Sequence, residues 1–369
     1  MKKKMLKNME WTILICSVIL LIIGMIALFS ATKDSGYEEL KKQAIWAGIS
    51  LVIMTVIVII DYDVIAKISP ILYGLFIIAL ICVLFTKPIN GARSWFQITD
   101  AISFQPSEFA KVITIIFLST VIVKLQGRDK REINKIWKLA IVFVTIGLPM
   151  GLIILQPDLG TVTAFAIALC FMLFASGIDK KYVIAAIVLV AISLPLLYFY
   201  VLPTHAKTRI DVFLNPELDP RGSGYNIIQS KLAIGSGELF GMGVLKGNQT
   251  QLGFLHPKTT DFIYSVIGEE MGFVVASTVI ICYVILITKS IFVAKTAKDD
   301  VGSYIAIGIA GIFTFHMVEN IGMTMGLLPI TGVPLPFVSY GGSSLITNFA
   351  CIGLLLNISG RRQKSLFID

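Results

Sequence analysis

The sequence predicts an all-α polytopic membrane protein of about ten transmembrane helices, and three observations carry that prediction. The 369 residues are 56% hydrophobic and only 15% charged, with a mean hydropathy of +0.85. Apolar runs of roughly twenty residues, the length that crosses a hydrocarbon core, recur along the whole chain. The short alternating segments of an outer-membrane barrel are missing, and within lipid a closed helix is the other way to satisfy every backbone group.

Taken in order, the runs fall at about 11–31, 44–61, 69–86, 108–124, 138–155, 160–177, 182–202, 262–288, 302–325 and 338–358. The first follows Lys2, Lys3, Lys4 and Lys7, as the core of a signal peptide would. It is too long for such a core and no A-x-A-like cleavage site follows, so it reads as a retained span. An even number of spans puts both termini on one side of the membrane. Nineteen lysines and arginines lie on that side, against five in the short loops opposite, an excess that marks the cytoplasm. Both termini are therefore expected in the cytoplasm, with loops 87–107, 203–261 and 326–337 outside.

This topology also accounts for the net charge of +8. The basic residues are scattered between apolar runs and form no polar basic segment, so nucleic acid is not an expected partner. The five cysteines (Cys16, Cys82, Cys170, Cys282 and Cys351) stand singly in apolar runs. With no C-x-x-C pair, they read as small packing residues.

The polar residues are fewer and more informative. In loop 87–107, Trp95 and Phe96 suit interfacial aromatic anchors, and Trp95 is also a candidate substrate contact. Pro106, Ser107 and Glu108 open a helix. Lys111, three residues after Glu108, shares its helix face. The two fit an intrahelical ion pair and equally a pair facing a polar cavity, and these readings are compatible. Asp158 in QPDLGT is placed to cap the next helix, and an outward carboxylate there could also meet a cation or a sugar.

Loop 203–261 looks structured. It carries Arg209, a short helical stretch over 227–234, and glycines at 235, 237, 241 and 243 that require tight turns around Glu238. Its likeness to phosphate loops is weak, because no strand precedes the glycines. The stretch 251–273 then delivers Asp261 at the junction of a polar loop and an apolar run, with Glu269 and Glu270 beyond it. By default, a carboxylate in or beside a membrane marks a pathway or a reaction site. On a continuous helix at 100° per residue, Glu269 would sit about 80° and Glu270 about 180° around from Asp261. Neither could then pair tightly with it, which assigns both to helix packing or cavity polarity.

His316 and Glu319 share one face of the ninth run, with Asn320 beside them. Helix-to-helix hydrogen bonding suits them, and a metal pair would lack further histidines. Stretch 328–337 holds three prolines and cannot be regular helix throughout. Small polar residues, Ser343 among them, then lead into the tenth run. Broken backbone at membrane depth is tolerated only against protein or a wet cavity.

Several segments together carry a family resemblance: GARSWF with FQPSEFAK, QPDLGT, FLNP-x4-DP-x-GSGYN-x2-QS, TDFIYSVIGEEMGF, and NIGMTMGLLPITGVPLPFVSYGGSS. In this order they resemble the signature segments of the SEDS family of bacterial wall synthesis, which includes RodA, FtsW and SpoVE, and the NIGMTMGLLPITG segment is closer to the RodA form than to that of FtsW. The resemblance implies one ten-span domain over 1–369 in the bacterial cytoplasmic membrane, with a large outer loop between spans seven and eight. It also implies a peptidoglycan glycosyltransferase that polymerises lipid II for elongation, division or sporulation. Implied partners are a class B penicillin-binding protein and other membrane proteins of the elongation or division complex.

By motif position, Asp261 falls on the family's essential aspartate. The Trp95 region, Glu108, Lys111, Asp158 and Glu270 fall on other positions that the family uses or keeps polar. One departure stands out. Family members often carry a Pro-Glu pair just before the aspartate, whereas here His256, Pro257, Lys258, Thr259 and Thr260 fill that stretch, which puts any role for the second acid in doubt.

The chemistry asks for matching residue types. A sugar hydroxyl attacks an anomeric carbon and a lipid diphosphate leaves, so one general base and positive charge for the leaving group are needed. Asp261 can be the base, Arg209, Lys246 and Lys258 can meet the diphosphate, and Trp95, Asp158 and Ser343 are further candidate contacts. A direct inverting displacement needs no second carboxylate. No cofactor is evident, although a divalent cation bridged by the substrate would leave no ligand spacing to read. The competing readings are a lipid-precursor flippase or transporter and a non-catalytic scaffold. A transporter requires polar groups near the midplane that are reachable from both sides, whereas the motif-rich loops here share one face.

Overall fold

The computed structural model describes residues 2–88, 92–99, 102–201, 207, 211–219 and 222–362. The chain is mostly helical. Helices α1 (Lys2–Asn8), α2 (Trp11–Ala31), α3 (Glu38–Ile59) and α4 (Tyr62–Val83) lead to a short hairpin of β1 (Phe96–Thr99) and β2 (Ile102–Phe104). After it come α5 (Pro106–Gln126), α6 (Ile136–Ile154), α7 (Leu159–Ser176) and α8 (Lys180–Leu196). The remainder is α9 (Ser223–Ser236), α10 (Asn248–Gln251), α11 (Ile263–Thr296), α12 (Asp300–Thr324) and α13 (Gly342–Gly360).

Among the described residues, seven of these helices are long and apolar enough to cross a membrane. Their outward faces expose large apolar side chains such as Ile71, Phe143 and Ile281. In water such a surface would drive association, and against acyl chains it is solvated; this is a multi-pass membrane protein. The same faces correct the reading of the cysteines. Cys16, Cys282 and Cys351 are buried, but Cys82 and Cys170 are exposed, where lipid accepts a small apolar thiol as readily as a protein core does.

Helix α11 packs against α2 and α12, α12 packs also against α5 and α7, and α13 lies along α3. One apolar core runs through Leu20, Tyr283, Phe313 and Phe349, and a second through Leu80, Ile122, Phe165 and Met172. The hairpin within loop 87–107 was not legible as strand, since FQIT and ISF are too short to show a period. It forms because Phe96 pairs with Phe104 and Gln97 with Ser103, while the Phe104 ring continues onto Phe109 of α5 at 4.8 Å.

Ion pairs gather at one end of the bundle. Glu10 meets Lys289 at 3.4 Å and Arg362 at 2.9 Å, Asp63 meets Lys298 at 2.6 Å, and Asp61 meets Arg361 at 3.1 Å. The N-terminal segment, the α3–α4 and α11–α12 turns and the end of α13 therefore lie together. The loops that carry the motifs meet at the opposite end.

Helix α11 is broken at Gly272, where φ is 75° and ψ is −176°. Residues 238–243 fill the break. Met242 and Gly243 donate their amides to the carbonyls of Glu269 (2.9 Å) and Glu270 (3.0 Å), while Phe273 and Val274 donate to those of Glu238 (2.9 Å) and Leu239 (3.1 Å). The expected tight turns are present, with positive φ at Glu238, Gly241 and Gly243. A Cβ on Gly272 would stand 2.2 Å from the Gly241 nitrogen. Gly272→Ala is therefore expected to destabilise the protein by about 2 kcal/mol or more. A melting temperature equal to that of the parent in a fluorescence-detected thermal scan would refute this.

Candidate active site

Asp261 stands in a turn, two residues before α11 begins at Ile263. The expectation that it shares a helix with Glu269 and Glu270 is corrected here. Three successive carbonyls of the turn accept from elsewhere, and these bonds hold it outside the helix. The Tyr340 amide donates to Thr259 O at 2.9 Å, Ser339 Oγ to Thr260 O at 2.7 Å, and Asn320 Nδ2 to Asp261 O at 3.0 Å. The donors come from α12 and from the segment after the proline-rich stretch, far along the chain from the turn. The Asp261 side chain is half-buried and faces that stretch, with Oδ2 3.6 Å from where a Cβ on Gly332 would stand.

Stretch 328–337 forms the floor of the site, and α12 grips it from one side. Asn320 Nδ2 also donates to Val333 O at 2.8 Å, and Glu319 Oε1 accepts from Thr331 Oγ1 at 2.7 Å. His316 Nδ1 lies 2.9 Å from Pro334 O and its Nε2 lies 3.0 Å from Lys111 Nζ. A carbonyl can only accept and an ammonium can only donate, so His316 is the neutral tautomer protonated on Nδ1. On the other side, the start of α7 closes onto the stretch, where a Cβ on Gly160 would come within 2.4 Å of Val333 Cγ2.

Glu108 and Lys111 form a buried ion pair at 3.0 Å, and Thr347 Oγ1 donates to the second Glu108 oxygen at 3.2 Å. Removing both charges from water costs several kcal/mol per ion. The hydrogen bond from Thr347 on α13 and contact with His316 on α12 offset part of that cost. The pair is thus intrahelical and also ties three helices beneath the site.

A second polar chain joins three helix starts. Asp158 caps α7 by accepting from the Thr161 amide at 3.0 Å, and its other oxygen accepts from Thr161 Oγ1 at 2.8 Å and Gln105 Nε2 at 3.2 Å. The Gln105 amide in turn donates to Ser343 Oγ at 3.2 Å. Burial pushes the Asp158 carboxyl above the usual carboxylate range, against the opposing pull of the Thr161 hydrogen bonds. The N-termini of α5, α7 and α13 therefore meet within two hydrogen bonds of one another.

Glu269 and Glu270 turn to a different task. Glu269 accepts from the amides of Gln249 (2.6 Å) and Thr250 (3.0 Å) and from Thr250 Oγ1 (2.6 Å). Glu270 accepts from Ser30 Oγ (2.7 Å), Gln251 Nε2 (3.0 Å), and the amides of Leu245 (3.2 Å) and Gly247 (3.3 Å). Together they hold loop 245–251 against α11 and the end of α2.

The remaining candidates are more scattered. Lys258 Nζ lies 3.0 Å from Thr250 O and 3.5 Å from Asp34. Lys246 is exposed on the loop that Glu270 holds. Trp95 is half-buried, and its carbonyl accepts from Thr86 at 3.3 Å. Arg209 lies outside the described residues. Among the described residues, no group of three or more His, Cys, Asp or Glu side chains is placed to hold a metal ion. Sequence reasoning gave no role to Gln105, Ser339 or Thr347. Their long-range partners are far along the chain, so no local spacing could have signalled them; for Asn320 the sequence suggested helix-to-helix hydrogen bonding, but not that its partners would be the Asp261 turn and Val333.

Fold and site thus define a polytopic helical membrane protein with a carboxylate on a clamped turn at one end of the bundle. The family model for the FtsW, RodA and SpoVE cell cycle proteins matches residues 9–364, and the chain belongs to that family. It is 38% identical over 358 residues to the peptidoglycan glycosyltransferase MrdB of Escherichia coli strain K12, covering 96% of this chain and 95% of that one. Among solved structures, a chain of a peptidoglycan synthase complex described as coordinating polymerization and crosslinking superposes with a TM-score of 0.83. It is 27% identical, with 97% of this chain and 99% of that one covered. The rod shape determining protein RodA of Thermus thermophilus gives a TM-score of 0.72 at 26% identity, covering 97% and 98%.

Proposed function

We propose that this chain is a peptidoglycan glycosyltransferase that polymerises lipid II on the outer face of the bacterial cytoplasmic membrane. In this reading it is a single domain of ten spans with both termini in the cytoplasm. The spans add α5, α7 and α8 to the seven long apolar helices, and 203–261 is the large outer loop between spans seven and eight. A class B penicillin-binding protein works beside it, an assignment supported by the likeness to a chain of a synthase complex.

The observation that carries the reading is the clamped turn of Asp261 facing the proline-rich floor. Asp261 takes the proton of the acceptor sugar hydroxyl as its oxygen bonds to the donor's anomeric carbon, and the bond from that carbon to the diphosphate oxygen breaks. The leaving diphosphate gains negative charge. Aligned peptide dipoles put partial positive charge at helix N-termini, and three such N-termini meet at Gln105, Asp158 and Ser343. The Asp158 carboxylate already takes up donors at that junction, so the positive charge for the diphosphate is left to the cations of the loops, with Arg209, Lys246 and Lys258 the candidates. No resident cofactor is proposed, and a divalent cation would arrive on the diphosphate.

The test is a gel assay for glycan polymer made from labelled lipid II by the full chain with its transpeptidase, in the presence of an inhibitor of classical glycosyltransferases. A ladder of products is expected. Translocation of lipid II across vesicles without polymer would instead support a flippase, and neither outcome a scaffold.

A further inference from the structure

We propose that Asn320 is the positioning residue that sets where the Asp261 carboxylate stands, an inference that rests on reading Asp261 as the base. Asn320 is fully buried. Its amide spends both hydrogens on main-chain carbonyls, that of Asp261 at 3.0 Å and that of Val333 at 2.8 Å. Its Oδ1 is buried without a hydrogen-bond partner among the described residues. An orphaned buried acceptor costs about 1–3 kcal/mol, so stability alone gives little reason to keep an asparagine there. What the side chain does supply is a bridge of fixed length between the two walls of the site.

The geometry makes that bridge specific. Thr259 and Thr260 are tied to Tyr340 and Ser339, which belong to the segment that follows the floor. The bond at Asp261 ties the turn to α12, a long helix with most of its side chains buried in the bundle. The second bond of the same amide holds Val333, the neighbour of Gly332, which the Asp261 carboxylate faces. One turn earlier on α12, His316 lies against Pro334, so the floor is already secured without Asn320. Losing Asn320 would therefore leave the floor and α11 in place and remove the clamp at Asp261 itself, so that the turn is held only through Thr259 and Thr260 and residue 261 can shift. A shift of about 1 Å at a reacting group can cost on the order of 100-fold in rate.

Positioning and structural roles differ in what they predict. Asn320→Ala removes the orphaned acceptor, but it also leaves the carbonyls of Asp261 and Val333 without this donor, so a modest loss of stability with the fold retained is expected. The experiment measures kcat and KM for labelled lipid II with the full chain and its transpeptidase, alongside thermal unfolding. Asn320→Ala is expected to lower kcat about 100-fold, leave KM within about threefold, and lower the melting temperature only modestly, with the variant folded under assay conditions. Asn320→Ser retains one donor and should lose less, about tenfold. Unchanged kcat in both variants overturns the proposal. So does a parallel collapse of kcat and melting temperature, or failure of both variants to fold, either of which makes Asn320 structural. Asp261→Ala is run in parallel. If it is inactive while Asn320→Ala is fully active, the positioning role alone fails; if it still polymerises, the base reading fails and the positioning role with it.

Discussion

Asp261→Ala is expected to abolish glycan polymer from labelled lipid II, a loss of about 10³-fold or more, while expression and thermal stability stay near those of the parent chain. The magnitude follows from removal of a general base, which typically contributes about 10² to 10⁴, together with lost electrostatic support for the forming sugar oxygen. The clamp of the turn acts on backbone oxygens and does not depend on the side chain at 261. Tyr340, Ser339 and Asn320 hold the carbonyls of Thr259, Thr260 and Asp261, and an alanine at 261 keeps all three. Asp261→Asn preserves shape and removes basicity, so it should be as inactive as the alanine variant. Polymer from either variant at more than a few per cent of the parent rate would sink the assignment.

Lys111→Met is expected to have the largest effect on stability, about 3–5 kcal/mol, because it leaves the buried Glu108 carboxylate without its counter-ion. Both side chains are almost wholly buried, and Lys111 Nζ is 3.0 Å from Glu108 and 3.0 Å from His316. The substitution therefore also removes the donor that faces His316 Nε2, on the ring that holds Pro334 of the floor. The double variant Glu108→Gln with Lys111→Met removes both charges at similar volume, and it should recover much of the lost melting temperature. A single variant as stable as the parent, or a double variant no better than the single, would show that the ion pair does not hold the three helices together.

Much of the architecture was legible from periodicity and composition. Apolar runs of spanning length gave helices close to their observed bounds, and the grouping of basic residues placed the termini and one set of loops together, as the ion pairs of Glu10, Asp61 and Asp63 do. The capping role of Asp158 and the Glu108–Lys111 pair were also legible, because each depends on partners three residues away. The break in α11 was not, since Gly272 looks like any glycine in an apolar run until residues 238–243 are seen filling the gap. The helical wheel through Asp261 failed for the same reason: the donors that end the helix there lie on Asn320, Ser339 and Tyr340.

The sequence by itself determined that this is a helical membrane protein of the FtsW, RodA and SpoVE family, and that Asp261 sits at a loop-to-helix junction. Those features depend on composition, on local period and on motif order, all of which act over a few residues or survive as linear patterns. Only the tertiary structure decided which polar groups meet. It separated Asp261 from Glu269 and Glu270, joined three helix starts through Gln105, and set Asn320 between the turn and the floor. The physical reason is that buried polar groups must find partners, and in a bundle those partners come from whichever helix packs alongside, however distant along the chain.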